Sequence, residues 1–447
     1  MCSLRINPFP SDMDLSIILP VLNERDNLVE LIPRMSALMR RERLSFEILV
    51  IDGGSTDGTQ ETATSLGARV VRERRKGYAG ALETGFAEAT GDYVLTLDAD
   101  LSHEPDFVAK LWRARTQADV VIASRYTRGG TAYAEFSRRF LSQVLNIAMR
   151  RVLSMPVRDM SSGFRLYRRE ALQGLELEGR NFEVLEEILV KIYAQGYSVF
   201  EVPFTYFPRE AGASHARLFK FGVDLTKAAF RLWKLRNSIA SADYDDRAFY
   251  SIIPVQRYWQ RKRHQITTSW ARGSSRVLDA GCGSSMIIQS LNNAIGMDIN
   301  IAKLRFLRRI GIPLLCGSSF DLPFKDQSFD CVISSQVIEH VPFDDKLFAE
   351  LWRVLEPGGR LIIGTPDYST IGWRIIEPIY GTLMPGAYRD EHITHYTRQS
   401  LTDILVRHGF VYEETAYVAR SELVMRFRRP AAAAKQAEPA AVAPAAS

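Results

Sequence analysis

Phe46-Glu47-Ile48-Leu49-Val50-Ile51-Asp52-Gly53-Gly54-Ser55-Thr56-Asp57-Gly58-Thr59 sets the pattern of the chain: a short apolar run, a carboxylate at its end, then a glycine-rich turn. A run of this length bounded by turn residues reads as a buried strand. Leu15–Val21, Tyr93–Leu97 and Asp119–Ala123 repeat it, with helical stretches at Asn27–Met39 and Ala79–Ala89. Strand and helix in alternation build βαβ units around a mainly parallel sheet. The rhythm then restarts. Strands are expected at Arg276–Asp279, Ala294–Met297, Phe329–Ser334 and Gly359–Gly364, and helices at Ile301–Arg309, Asp344–Val354 and Ser400–His408. The reading is α/β throughout, as two Rossmann-like domains over residues 1–237 and 247–429, joined by the polar linker 238–246. Residues 430–447, almost all Ala and Pro, have no pattern that buries a core and read as a disordered tail.

The chain has 447 residues, 46% hydrophobic and 24% charged, as an ordinary globular protein does. A formal charge of +5 is mild. It leaves anionic substrates and membrane surfaces open, and with no nucleic-acid-reading motif it argues against DNA or RNA as a partner. Cys2, Cys282, Cys316 and Cys331 show no CxxC pair and no metal-ligand spacing. A disulfide framework is not expected, and a reducing, cytoplasmic compartment fits. No apolar run reaches the roughly 18 residues of a membrane span. Met1–Pro10 lacks a signal-peptide pattern, so export is not expected.

Three features of the first half fall at strand exits: Pro20-Val21-Leu22-Asn23-Glu24, the run from Asp52 to Thr59, and Leu97-Asp98-Ala99-Asp100. Open α/β sheets bind ligands beyond the carboxyl ends of their strands. Carboxylates two apart, Asp98 and Asp100, suit Mg²⁺ or Mn²⁺ held against a diphosphate, where the cation neutralises a leaving group. Each feature alone is commonly a turn; their succession after three strands is the specific signal. Arg217–Arg236 alternates apolar residues with Arg217, Lys220, Lys227, Arg231 and Lys234. It reads either as a basic helix at an anionic membrane surface or as a packed helix with a solvated face. Arg138-Arg139 and Arg150-Arg151 read as solvated faces, with contact to a lipid phosphate as the alternative.

In the second half, Val277-Leu278-Asp279-Ala280-Gly281-Cys282-Gly283-Ser284 lets backbone pass close to a ligand. Asp298 ends the next strand, where a carboxylate accepts both ribose hydroxyls of a nucleoside. A dinucleotide is the rival ligand, but Gly281-Cys282-Gly283-Ser284-Ser285-Met286 lacks its third glycine. Cys282 reads as a small packed residue and His340 as structural. Two histidines without further ligands, His392 and His395, argue against a zinc site.

Leu15 to about Asn237 resembles family-2 glycosyltransferases of the GT-A fold, and within them the polyprenyl- or dolichyl-phosphate sugar synthases. The match lies in Pro20–Glu24, Asp52–Thr59, Gly91-Asp92-Tyr93, Asp98–His103, Ser124-Arg125-Tyr126 and Ser162–Tyr167. The resemblance implies a nucleotide-sugar donor, GDP-mannose-like or a UDP-sugar, and a polyprenyl-phosphate or glycan acceptor. Pro20, Leu22, Glu24 and Asp52 would hold base and ribose, and Asp98, Ala99 and Asp100 metal and diphosphate. Arg125 and Arg209 would meet phosphate, and His215 stands where the family often has Lys. The family also often has Tyr for Leu22 and a second acid for Gly53, differences that bear on the donor. A lipid phosphate is already anionic and needs no general base; a sugar hydroxyl would require one.

About Tyr244 to Arg429 is similar to class I methyltransferases, in Val277–Gly283, Asp321–Phe324, Ser328-Phe329-Asp330, Val337–Val341 and Leu355–Gly359. S-adenosylmethionine is the implied cofactor. Asp279, Gly281 and Gly283 would line its methionine part, Asp298 its ribose, and Ser318 and Ser319 its adenine. The short run from Gly283 to Asp298 implies an abbreviated first helix. His392 and His395 lie where acceptors enter such enzymes, one of them a base near pH 7. The expected whole is a bifunctional transferase, cytoplasmic or peripheral at the cytosolic membrane face. The alternative is a glycosyltransferase for a soluble glycan, with the second domain a cofactor-binding scaffold or sensor.

Overall fold

The computed structural model describes residues 12–133, 136–206, 218–383 and 392–431. In the first half the strands are β1 (Leu15–Val21), β2 (Phe46–Asp52), β3 (Arg69–Arg72), β4 (Tyr93–Thr96) and β5 (Val120–Ser124). They are followed by β6 (Thr131–Ala132), β7 (Arg165–Arg168), β8 (Val199–Pro203) and β9 (Thr205–Tyr206). One sheet runs β3-β2-β1-β4-β7-β5-β8, and β6 pairs with β9 separately. β1 is parallel to both β2 and β4, and only β7 runs antiparallel within the seven strands. The strand order turns back between β1 and β4, the switch point at which such sheets open a crevice.

Strand periodicity divides the core. Leu49 and Ile51 face one side with Leu82, Ile188 and Leu232; Ile48 and Val50 face the other with Leu28, Met35 and Leu111. With both faces of the sheet covered, its central strands read as unbroken apolar runs.

The second half contains β10 (Val277–Ala280), β11 (Ala294–Asp298), β12 (Leu314–Cys316), β13 (Phe329–Ser335), β14 (Leu355–Pro366), β15 (Val411–Val418) and β16 (Glu422–Arg428). Their order is β12-β11-β10-β13-β14-β16-β15, parallel except at β16. The helix after β10 is only Met286–Gln289, the abbreviation anticipated from the spacing.

The helix Leu218–Arg236 packs on the first domain through buried Leu225 and Leu232, and Arg231 pairs with Glu187 at 2.8 Å. Among the described residues no helix is long and apolar enough to cross a membrane.

Residues 238–243 form turns and a short helix, Tyr244–Phe249, follows directly; Asp243 is buried and Asp245 half-buried. Arg236, fully buried, donates to both oxygens of Asp243 at 2.6 and 2.7 Å and to the Leu153 carbonyl at 3.0 Å. Burial opposes ionisation of Asp243, but Arg236 outweighs it and holds the carboxyl below its usual range. Two residues on, Asp245 meets Lys303 of the second domain at 3.0 Å.

Asp243→Ala is expected to cost about 3–5 kcal/mol in urea unfolding, because it strands a buried guanidinium. A depressed folded-state pKa contributes stability above the unfolded value, lost as pH falls through the folded one. The gap between wild type and variant should therefore be full at pH 7 and shrink below about pH 4. An equal gap at pH 3 and pH 7 would refute this assignment.

Candidate functional site

In the first domain the loops leaving β1 and β2 are stitched together. Gly53 N donates to Val21 O at 2.9 Å, Asn23 N to Ser55 Oγ at 2.8 Å and Thr56 N to Asn23 Oδ1 at 2.9 Å. Asp52 is buried at their centre, accepting from Gly54 N at 3.0 Å, Ser55 N at 3.1 Å and Gln60 Nε2 at 2.7 Å. Burial raises its pKa, yet these donors together hold it below the ordinary range. Asp52 is thus largely spent on shaping the loop, and a shallow groove runs past it between Gln60 and Arg72. Leu22 is 59% exposed beside this loop. Pro20 is the penultimate residue of β1, before buried Val21, and Glu24 accepts from Asn27 at 2.6 Å at the start of the next helix.

Asp98 and Asp100 follow β4. Asp98 Oδ1 accepts from the Tyr78 hydroxyl at 3.3 Å, and its Oδ2 lies 4.0 Å from His103 Nε2. His103 Nδ1 accepts from the Asp98 amide at 3.0 Å, so its proton sits on Nε2, toward the carboxylate. Burial keeps this imidazole neutral, with a lowered pKa, and Phe164 stacks on it at 4.9 Å. Asp100 Oδ1 accepts from Ser102 N at 3.1 Å and Ser102 Oγ at 2.5 Å. Ala99 between them is buried. A Cβ on Gly163 would lie 2.8 Å from the Tyr78 hydroxyl and 3.8 Å from Asp98, so the Ser162–Phe164 turn closes one wall. Two partly exposed carboxylates at a strand exit, with no lysine or arginine paired to Asp98 among the described ion pairs, fit a hard divalent cation.

Arg125 does not point a free fork at this space. Its Nε and Nη2 each donate to Asp159 at 2.8 Å, and Nη2 also reaches Ser161 at 2.8 Å. Burial and Asp159 oppose each other, and Asp159 wins, raising the pKa of Arg125. Arg209 and His215 lie outside the described residues. Sequence reasoning missed Tyr78, His103 and Asp159. It also missed Glu186, a buried carboxyl pushed up to about 7 by burial, with Arg165 acting against the rise. Tyr78, Asp159 and Glu186 carry no local motif; His103 lies in the Asp98–His103 stretch, but only folding sets its ring against Asp98.

In the second domain a cavity of about 660 Å³ opens at the β10/β13 switch point and takes in Asp279, Gly281, Gly283, Asp298, Ser318 and Ser319 together. Gly281 has φ +87°, and a Cβ there would meet Val337 Cγ2 at 2.2 Å. Gly283 has φ +55°, and its amide donates to Asp298 Oδ2 at 2.8 Å. Asp298 Oδ1 takes the Asn300 amide at 2.7 Å, and Asn300 caps the helix Ile301–Leu307. Asp279 is buried with Oδ2 lacking a partner among the described residues; burial, then Asp298, push its pKa up to about 7. Lys303 also lines the cavity, but Asp245 neutralises it. Arg263 lines it too and is paired with Glu422, so Asp298 and the Asp279 oxygen without a described partner are left facing the space, a setting that fits the ammonium and sulfonium of S-adenosylmethionine. Cys282 is buried and its thiol pKa is raised well above normal by burial, as a packed residue requires. His340 lines the cavity, which the sequence left as structural. His392 stands behind it, its pKa lowered to about 4 by burial and His340. His395 stacks on Tyr368 at 4.0 Å.

Residues 16–175 match the family described as Glycosyl transferase family 2, and residues 278–363 the family described as Methyltransferase domain. The dolichol-phosphate mannosyltransferase of Pyrococcus furiosus is 37% identical over 213 residues, covering 45% of this chain and 59% of that protein. The undecaprenyl-phosphate 4-deoxy-4-formamido-L-arabinose transferase of Pseudomonas paraeruginosa is 33% identical over 178 residues, covering 38% and 51%. The chain thus spans little more than half the length of these curated relatives. A solved SAM-dependent methyltransferase of Thermotoga maritima aligns at 21% identity and a TM-score of 0.35, over 41% of this chain and 93% of that one.

Gly281→Ala is expected to weaken S-adenosylmethionine binding at least tenfold by calorimetry, through overlap with Val337 and strain of about 1–3 kcal/mol at positive φ. Adding Val337→Ala relieves the overlap but not the strain, so binding should return in part. Parent-like affinity in Gly281→Ala would show that this turn does not cradle the cofactor.

Proposed function

Taking the chain as a glycosyl transferase family 2 domain joined to a methyltransferase domain, we propose that it is a bifunctional transferase. Its first domain moves a sugar from a nucleotide-sugar donor, GDP-mannose-like or a UDP-sugar, to a polyprenyl phosphate at the cytosolic membrane face. Its second domain methylates a glycan or lipid-linked product with S-adenosylmethionine.

The observation that carries the first step is the Asp98–Asp100 pair at the exit of β4, in a segment 37% identical to a dolichol-phosphate mannosyltransferase. Those carboxylates would hold Mg²⁺ or Mn²⁺, which would offset charge on the departing diphosphate. The chain's own part is positional: Tyr78 fixes Asp98, Ser102 fixes Asp100, and His103 stays neutral beneath them. A phosphate acceptor is already a nucleophile, so orientation of the two anions is the main demand.

A soluble glycan acceptor is the second reading; its hydroxyl would need a base, which a lipid phosphate does not.

The second step rests on the acidic cavity. The buried Asp279 oxygen without a described partner favours a cofactor that carries an ammonium there, whereas Asp298 suits the ribose of either ligand. The four-residue helix Met286–Gln289 is also a poor pyrophosphate seat. S-adenosylmethionine would supply the methyl group; Asp298 would hold its ribose, and Ser318 and Ser319 would border its adenine.

The test is transfer of label from a panel of radiolabelled nucleotide sugars, with Mn²⁺ or Mg²⁺ and a polyprenyl phosphate. Label is expected in the organic phase, falling roughly 10²–10³-fold in Asp100→Asn as charge stabilisation is lost. Label confined to the aqueous phase for every donor would overturn the lipid-phosphate reading.

A further inference from the structure

Behind the cofactor cavity, Glu339, His340 and His392 each offer one ligand atom, and the three atoms lie within 4.8 Å of one another. The two histidines are 52 residues apart in sequence, and the backbone pins them together: Glu339 O accepts from Ile393 N at 2.7 Å and from Thr394 N at 3.1 Å. Their rings sit 5.0 Å apart, centre to centre.

Two observations point to a ligand here. First, Glu339 is fully buried, and among the described residues neither carboxyl oxygen has a hydrogen-bond partner of good geometry, though the Thr365 hydroxyl lies against it. A buried carboxyl left this way is costly unless a cation meets it. Second, His392 is oriented from behind. The Tyr368 hydroxyl donates to Glu377 at 2.9 Å and lies 2.7 Å from His392 Nδ1, with Glu377 itself 3.4 Å from that nitrogen. Tyr368 has one proton, and it goes to the carboxylate, so His392 must donate from Nδ1. Its Nε2 then carries a lone pair. A carboxylate-backed imidazole is the arrangement that orients metal-binding histidines.

We propose that Glu339, His340 and His392 bind a divalent transition-metal ion, with the zinc ion as the test case. Two imidazoles and one carboxylate suit such an ion and leave a coordination position open. His340 also lines the cavity, so that position faces the cofactor space and takes up an oxygen of the methyl acceptor. Binding of the ion stands by itself; its use by the acceptor rests on the methyltransferase reading above.

The experiment titrates Zn²⁺ into the full-length protein, stripped with a chelator, against a chromophoric competitor. It uses an Asp98→Asn/Asp100→Asn background, so that the first domain's carboxylates do not contribute. One equivalent per chain is expected. Glu339→Gln and His392→Ala should each weaken it at least tenfold while S-adenosylmethionine affinity stays within twofold, since neither side chain lines the cavity. Should either variant also lose the cofactor, and so its fold, Tyr368→Phe decides. It removes only the hydroxyl behind His392, and should lower zinc affinity about 10–100-fold. No zinc bound by the parent, or parent-like zinc affinity in these variants, overturns the proposal. Absence of methyl transfer with zinc still bound would count against the methyltransferase reading alone.

Discussion

A parallel strand that ends in a carboxylate, buried as Asp52 is or partly covered as Asp298 is, draws backbone donors to it, because little water reaches its inner side. Both domains are organised around this demand. Asp52 at the end of β2 gathers the amides of Gly54 and Ser55, and Asp298 at the end of β11 gathers those of Gly283 and Asn300. The loops take their shape from these bonds, and the positive φ of Gly54 and Gly283 follows from wrapping backbone around a side chain. Parallel strands present their carboxyl ends along one edge, so the loops converge there. The carboxylates left with vacant valence, Asp98 and Asp279, are the ones that face the open sites.

The same economy governs the join between the domains. Arg236 and Asp243 form a buried pair, and Asp245 caps the Ser284 amide inside the second glycine turn at 3.1 Å while holding Lys303. Ile239 and Ala240 line the cavity. The last helix of the first domain therefore leads directly into the wall of the cofactor cavity. The junction is packed protein rather than a solvated tether, because its charges are answered inside.

Arg125 shows how a residue type can suggest one partner while its surroundings supply another. A guanidinium near a diphosphate site suits phosphate. Here Asp159, fully buried and 34 residues away, engages its fork and fixes the wall of the site instead. Glu186 shows the opposite: an unremarkable helical glutamate becomes a near-neutral acid only because the fold removes its water.

What the sequence determined by itself is whatever depends on local spacing. Apolar runs with the strand period placed β1, β2, β10 and β11 to within a residue, and the strand–turn–helix order placed Asp98, Asp100, Gly281, Gly283 and Asp298 at strand exits. The short interval after Gly283 even set the length of the helix Met286–Gln289. Only the tertiary structure decided which groups are already engaged and which strangers meet: Arg125 paired with Asp159, and Glu339-His340 brought to His392. The physical reason is that periodicity and turn chemistry act over a few residues. Burial, charge pairing and ligand geometry depend on chains tens of residues apart packing against each other.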